Sequence, residues 1–297
     1  MIRALLILLF LTTPIAATLA DMTAAARQID DLHDKGQYAD ARSAALAALA
    51  QATGPAEQAE LYWRASRESL NMGDDVEKAK KPQADILALF KEGQGYADKA
   101  IAADPKNDLG YYWKSSNIGR SGQVQGVLNS LFLAAPMKDL LVKDLSLNAN
   151  RADAYYVLGQ LYRELPGWPI SFGNLDAAVS LGRKSMDLRH AQVQAGTEKE
   201  YVYNYDTELA KTLWKRNWSS ATRLAEQKNK AGKLASASTP LDKGSLYEAG
   251  VQLGTMSDRE EAKSLVQAAV DALHALPELN AGQKSDLEKA VDVLKGW

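Results

Sequence analysis

Apolar residues recur along this chain at helical rather than strand spacing. Ala41, Ala45, Ala48 and Leu49 fall at i, i+4, i+7 and i+8, and Leu287, Val291 and Leu294 repeat such a face near the other end. These stretches are rich in alanine, leucine and lysine, all good helix formers, and no long period-two alternation of β-branched residues appears. The pattern predicts an all-α protein. Turn signals then cut it into pairs of helices. Gly36-Gln37-Tyr38-Ala39-Asp40-Ala41 reads as a turn opening the second helix of a pair, and Ala100-Ile101-Ala102-Ala103-Asp104-Pro105 reads as the close of another. Leu145 to Ala149 and Met186 to His190 occupy equivalent places.

One segment fixes the kind of helix pair. Tyr155, Leu158, Gly159 and Tyr162 stand at the offsets W-x2-L-G-x2-Y of the first helix of a tetratricopeptide (TPR) repeat. A single such unit cannot bury its apolar face, so one credible copy implies a stacked array with a concave surface. Spacing tests the idea. Pro105 and Ala149 are 44 residues apart, and Ala149 and His190 are 41 apart, against about 34 for a plain repeat, so enlarged turns are expected between helices.

Six helix pairs follow. The second runs from about Glu57 to Lys106 with a long insert around Asn71 to Pro82, the third begins at Asp108, and the fourth contains Tyr155. Trp218-Ser219-Ser220-Ala221 and Arg259-Glu260-Glu261-Ala262 mark second helices of two more. The insert Ser121 to Met137 is apolar enough to pack on the repeat interior. Lys228 to Lys243, rich in Lys, Gly, Ala and Ser, reads as a loop or hinge. Ala281 to Trp297 reads as a C-terminal capping helix. The expected fold is thus a TPR-like helical-hairpin solenoid, one domain over residues 21–297.

The N-terminus changes the picture of where such a protein works. Met1-Ile2-Arg3, the apolar block Ala4 to Leu11 and the small residues before Asp21 have the layout of a secretory signal peptide, residues 1–20, cleaved after Ala20. A periplasmic or secreted protein with no membrane anchor in the mature chain is expected. There is no cysteine, hence no lipobox, disulfide or thiolate nucleophile. With 35 Lys and Arg against 37 Asp and Glu, the charge balance argues against general nucleic-acid binding.

Candidate chemistry sits on the first helices. The residue after each framework aromatic, taken in register, gives Trp63, Tyr112 and Tyr156, a ladder on the inner wall. Arg67 lies four residues beyond Trp63 on the same face, and Arg120 and Arg163 lie near helix ends. Such a surface suits an extended peptide, a carboxylate or a flat apolar ligand. The same aromatics could instead fill inter-repeat packing, since an error of one position turns each by about 100°, and for the arginines a solvated surface is the competing reading. The stretch Arg163 to Asn174 contains two prolines, two glycines and the apolar Trp168, Ile170 and Phe172. It either covers one mouth of the groove, with Trp168 as a contact, or fills the space opened by a longer turn.

Catalytic signals are weak. His33, His190 and His274 form no metal motif, no nucleophile elbow or phosphate loop appears, and Asp74-Asp75 and Glu260-Glu261 read as solvated helix termini. The reading is of a binding protein without cofactor or metal, not an enzyme.

Three stretches carry a family resemblance: Gly110 to Arg120, Ala154 to Tyr162, and Pro166-Gly167-Trp168-Pro169-Ile170-Ser171-Phe172-Gly173. Over roughly residues 85–225 the chain resembles exported bacterial TPR proteins of the TatT kind, accessory to tripartite ATP-independent periplasmic (TRAP) transporters. The resemblance implies an all-helical protein that associates with a periplasmic solute-binding protein and handles small ligands through an internal cleft. The missing lipobox cysteine departs from that pattern. Two functions follow as expectations: a scaffold for a protein or peptide partner, or a carrier with a closed cavity for an apolar or carboxylate small molecule.

Overall fold

The computed structural model describes residues 15–297, so the greater part of the expected signal peptide lies outside the described residues. Among the described residues every regular element is helical: thirteen α-helices and two short 3-10 turns. The chain divides into two compact units, one ending at Val124 and the other running from Gln125 to Trp297.

The first unit contains α1 (Ile15–Asp34), α2 (Tyr38–Ala48), α3 (Pro55–Lys78), α4 (Gln83–Ala103) and α5 (Asp108–Gln125), whose last residue crosses the boundary. Gly36 takes φ +72 between α1 and α2, a conformation glycine adopts without penalty. The turn is closed by bonds from the Gly36 and Gln37 amides to the His33 and Leu32 carbonyls. Small residues then let the helices approach: Ala41, Ala45 and Ala65 pack with Ile29 and Leu61 in one core cluster. A second cluster joins Leu70, Ile86 and Phe90, with Trp113 and Val124 against it. Gly73 leaves the space that the Phe90 ring occupies, since a Cβ there would lie 2.4 Å from the ring.

The second unit contains α6 (Val127–Leu147), α7 (Ala152–Glu164), α8 (Leu175–Gln194), α9 (Asn204–Arg216), α10 (Ser220–Ser236), α11 (Pro240–Ser245), α12 (Asp258–His274) and α13 (Ala281–Lys295). Side chains set the helix starts. Asn174 accepts from the amides of Asp176 and Ala177, and Ser257 with Glu260 and Asn280 with Gln283 form reciprocal capping boxes. Val179, Leu209, Leu213, Val266 and Ala290 form the core, and Leu287, Val291 and Leu294 of α13 pack on it as the expected capping helix.

Part of the extra repeat length lies in the ten-residue turn 165–174, and the rest lengthens helices. α3 extends through Lys78, so most of the expected insert from Asn71 is helix. Likewise α5 continues to Gln125 and α6 begins at Val127, with Gly126 at φ +98 between them. Within that insert Ala134 and Met137 are buried as expected, but Phe132 is 76% exposed.

Lys228 to Lys243 is mostly helical rather than a loop: α10 and α11 cover it apart from the turn 237–239. The helix pairing differs here as well, because α9 packs chiefly on α12 and α8, while α10 and α11 form an excursion between them. Asn217, in the left-handed region at φ 57, ends α9. Asp258 and Trp218 then bond to each other, the Asp258 amide to the Trp218 carbonyl and the Trp218 amide to the Asp258 carboxylate, closing the excursion at its base.

Buried charge holds that excursion. Arg216, with a side chain 1% exposed, bonds to both Asp258 and Glu248. Arg183 reaches Glu248 and Glu261, and Arg223 reaches Asp258 and Glu261. Glu261 is therefore not a solvated terminus. It faces inward, while its neighbour Glu260 caps the helix through Ser257.

Candidate functional site

In the second unit α7, α8 and α9 line a shallow, solvent-open cleft with room for about one water molecule. Its floor is made by small residues. Gly159 of α7 meets the backbone of α8 so closely that a Cβ would lie 3.3 Å from the Gly182 nitrogen, and Gly182 and Ala178 complete this surface. Absent side chains at the helix crossing let α7 and α8 approach closely, and Leu209 of α9 fills the space beside Gly182.

Tyr156, Gln160 and Arg163 line it from α7, at i, i+4 and i+7 and so on one face. Facing them are Tyr205, Glu208, Leu209 and Thr212 of α9. The Tyr156 and Tyr205 rings lie 4.8 Å apart at 39°, and the Tyr156 hydroxyl accepts from Asn204 Nδ2 at 2.7 Å. Tyr205 in turn donates to Asp153, which also receives Arg189. One end of the cleft is therefore a braced aromatic wall.

An ion pair forms the other end. Arg163, 6% exposed, donates from Nη2 to Glu208 Oε2 at 2.6 Å and from Nη1 to the Glu208 carbonyl and Thr212 Oγ1, while Nε bonds to Glu164 at 2.6 Å. Burial pushes the Glu208 carboxyl up, but Arg163 and Lys211 outweigh it and hold the group below the ordinary glutamate value. Between the aromatic wall and the ion pair stands Gln160, whose carboxamide has no hydrogen-bond partner among the described residues.

The sequence-derived candidates divide between the units. Tyr156 and Arg163 both line the cleft. Trp168 does not: it is 90% exposed, projecting from the turn 165–174, whereas Phe172 of the same turn packs on Tyr162 at 5.1 Å and takes the Lys138 ammonium over its ring at 4.5 Å.

In the first unit Trp63 is buried and donates to Glu60 at 3.0 Å, with the Arg64 and Arg67 guanidiniums 4.1 and 5.3 Å from its ring centroid. Trp63 and Arg67 are neighbours, as their i, i+4 spacing predicts, but Trp63 is buried and Arg67 is paired, so the two do not form an open patch. Arg67 also bonds to Asp30 and to the fully buried Glu68, and Glu68 meets His33 at 2.9 Å. Tyr112 stands edge-on to Trp113 at 5.0 Å. Arg120 reaches Asp74, Glu77 and Gln123 and lies over the Phe90 ring.

Sequence reasoning missed Tyr205, Glu208 and Thr212, because it located the turn at Trp218 but not the helix before it. The available signal was Tyr205, Leu209, Thr212 and Leu213, a helical stripe at i, i+4, i+7 and i+8. Among the described residues no group of three or more His, Cys, Asp or Glu side chains is placed to hold a metal ion, and no helix is long and apolar enough to cross a membrane.

A family model described as regulator of microtubule dynamics protein 1-3 matches residues 25–167, just under half of the chain. No curated protein matches. The matched stretch, to which the chain is similar, ends just beyond α7. It includes the Tyr156, Gln160 and Arg163 side of the cleft but not the α8 and α9 side.

Proposed function

We propose that this protein is a helical-repeat scaffold that binds an extended segment of a protein partner in the α7–α9 cleft. One observation carries the reading: the half-buried Gln160 lines the cleft at i+4 from Tyr156 and i−3 from Arg163, between an aromatic wall and a buried ion pair. A carboxamide offers a donor and an acceptor side by side, the complement of one peptide unit. Tyr156 and Tyr205 supply contact area for a segment lying across the cleft.

Size favours a segment over a whole small molecule. The room among these side chains is about that of one water molecule, far below the pockets of about 300–1,000 Å³ that hold drug-sized ligands. That weighs against a closed carrier. Arg163 serves here as a wall, since Glu208, Thr212 and Glu164 already occupy its donors.

The partner's identity comes from two directions. The TatT-like loop residues suggest a periplasmic solute-binding protein, a partner consistent with the expected signal peptide. The matched family model suggests a microtubule-related partner instead, which co-pelleting with polymerised tubulin tests directly. Panning a displayed peptide library against the folded protein tests the cleft itself. Selected peptides are expected to bind Gln160→Ala and Tyr156→Ala about tenfold more weakly than wild type, a loss of one or two hydrogen bonds or contacts. Equal affinity for both variants would refute the assignment.

A further inference from the structure

The turn between α7 and α8 exposes what a folded chain ordinarily hides. Trp168 is 90% exposed and Ile170 is 72% exposed. Yet the turn is held in one shape. The amides of Ile170 and Ser171 bond to the Gly167 carbonyl, Gly173 to that of Pro166, and Asn174 to that of Tyr162. Gly173 sits so close to the Leu165 carbonyl that a Cβ would be 1.9 Å from it. Phe172 anchors the base against Tyr162 and Lys138. A structured turn that half-buries one apolar side chain and displays two outward presents a convex tip.

We propose that this tip, Trp168 with Ile170, inserts into the headgroup region of a lipid bilayer and docks the protein reversibly on a membrane surface. Three features select lipid over a protein partner. Area is the first. Trp buries roughly 150–250 Å², so with Ile170 the tip offers on the order of 300–400 Å², well short of the ~800 Å² per partner of a specific protein interface. The second is its freedom from charge: no Asp, Glu, Lys or Arg lies between Leu165 and Asn174. The third is the backbone. Pro166 and Pro169 have no N–H, and Ile170, Ser171 and Gly173 spend theirs within the turn, which lowers the cost of leaving water. Trp itself favours the bilayer interface, where its ring meets acyl chains and its N–H meets headgroups. Lys138 at the base can keep its ammonium in water while its stem lies along the apolar surface. The docking is independent of the α7–α9 cleft.

Co-sedimentation with sucrose-loaded phosphatidylcholine vesicles, with and without phosphatidylglycerol, tests the proposal. Wild type is expected to pellet with both, with little dependence on salt because the tip is uncharged. The double variant Trp168→Ser, Ile170→Ser should keep the wild-type melting temperature and lose binding by about tenfold. Failure of wild type to pellet, or equal pelleting of the variant, overturns the proposal. So does a self-associated species in sedimentation velocity that the variant dissolves while vesicles recover nothing, since the tip would then contact a second copy.

Discussion

At the residue scale the protein places charge where water is scarce and satisfies it with opposite charge. Arg216 is the clearest case, enclosed by Asp258, Glu248 and Asp176. Arg216→Ala would leave Glu248 and Asp258 buried with less compensation, and a loss of about 3–5 kcal/mol is expected in urea unfolding. Asp206 is the opposite case. Burial pushes its carboxyl up, and despite the Tyr201 hydroxyl and His190, with the Asp286 carboxylate nearby, it stands at about 6. A folded value above the ordinary 3.8 means that the unfolded chain ionises more readily. The group therefore costs stability above about pH 6, and the cost is relieved as pH falls from there toward 4. Wild type should gain about 1 kcal/mol relative to Asp206→Asn between about pH 7.5 and about pH 5. The variant controls for Glu248, Glu261 and Glu208, whose carboxyls sit below the ordinary value and lose their stabilisation only at lower pH. A constant difference between the two proteins across that range would refute the role assigned to Asp206.

At the element scale, local signals made most helices legible and tertiary partners decided the rest. The starts of α2, α5 and α12 follow Gly36, Asn107 and Ser257, turn and capping residues that act through their own backbone neighbourhood. Lys228 to Lys243 misled because its composition is that of a loop. Its helix α10 has almost no apolar face, and Arg223 is its buried residue. What docks it is the polar stripe of Arg223, Gln227 and Lys230. These bond to Glu261 and the Met256 carbonyl, to the Glu248 and Val251 carbonyls, and to Asp176 respectively. Partners dozens of residues away leave no periodic apolar trace. A helix held this way should be the least protected of its unit. Hydrogen exchange in Ser220–Ser236 is expected to exceed that in α9 and α12, and to rise several-fold in Arg223→Ala while α12 changes little. Protection of α10 equal to that of α12 would contradict this.

At the scale of the whole molecule, two compact units each build their own helix stack, and the candidate site belongs to one of them. Half of that site was readable: Tyr156 and Arg163 follow from the repeat register of α7. Its other half was not, because Tyr205, Glu208 and Thr212 enter through α9, which is separated from α7 by α8 and a nine-residue loop. Trp63 and Arg67 were readable as neighbours for the same reason as Tyr156, an i, i+4 relation within one helix. The central claim is that Gln160 reads a peptide unit in the α7–α9 cleft. NMR observation of the Gln160 side-chain amide during titration with a selected peptide tests it most directly. The account predicts that this resonance pair shifts together with the backbone amides of Gly159 and Gly182. A peptide that binds tightly while leaving those signals unmoved would contradict it.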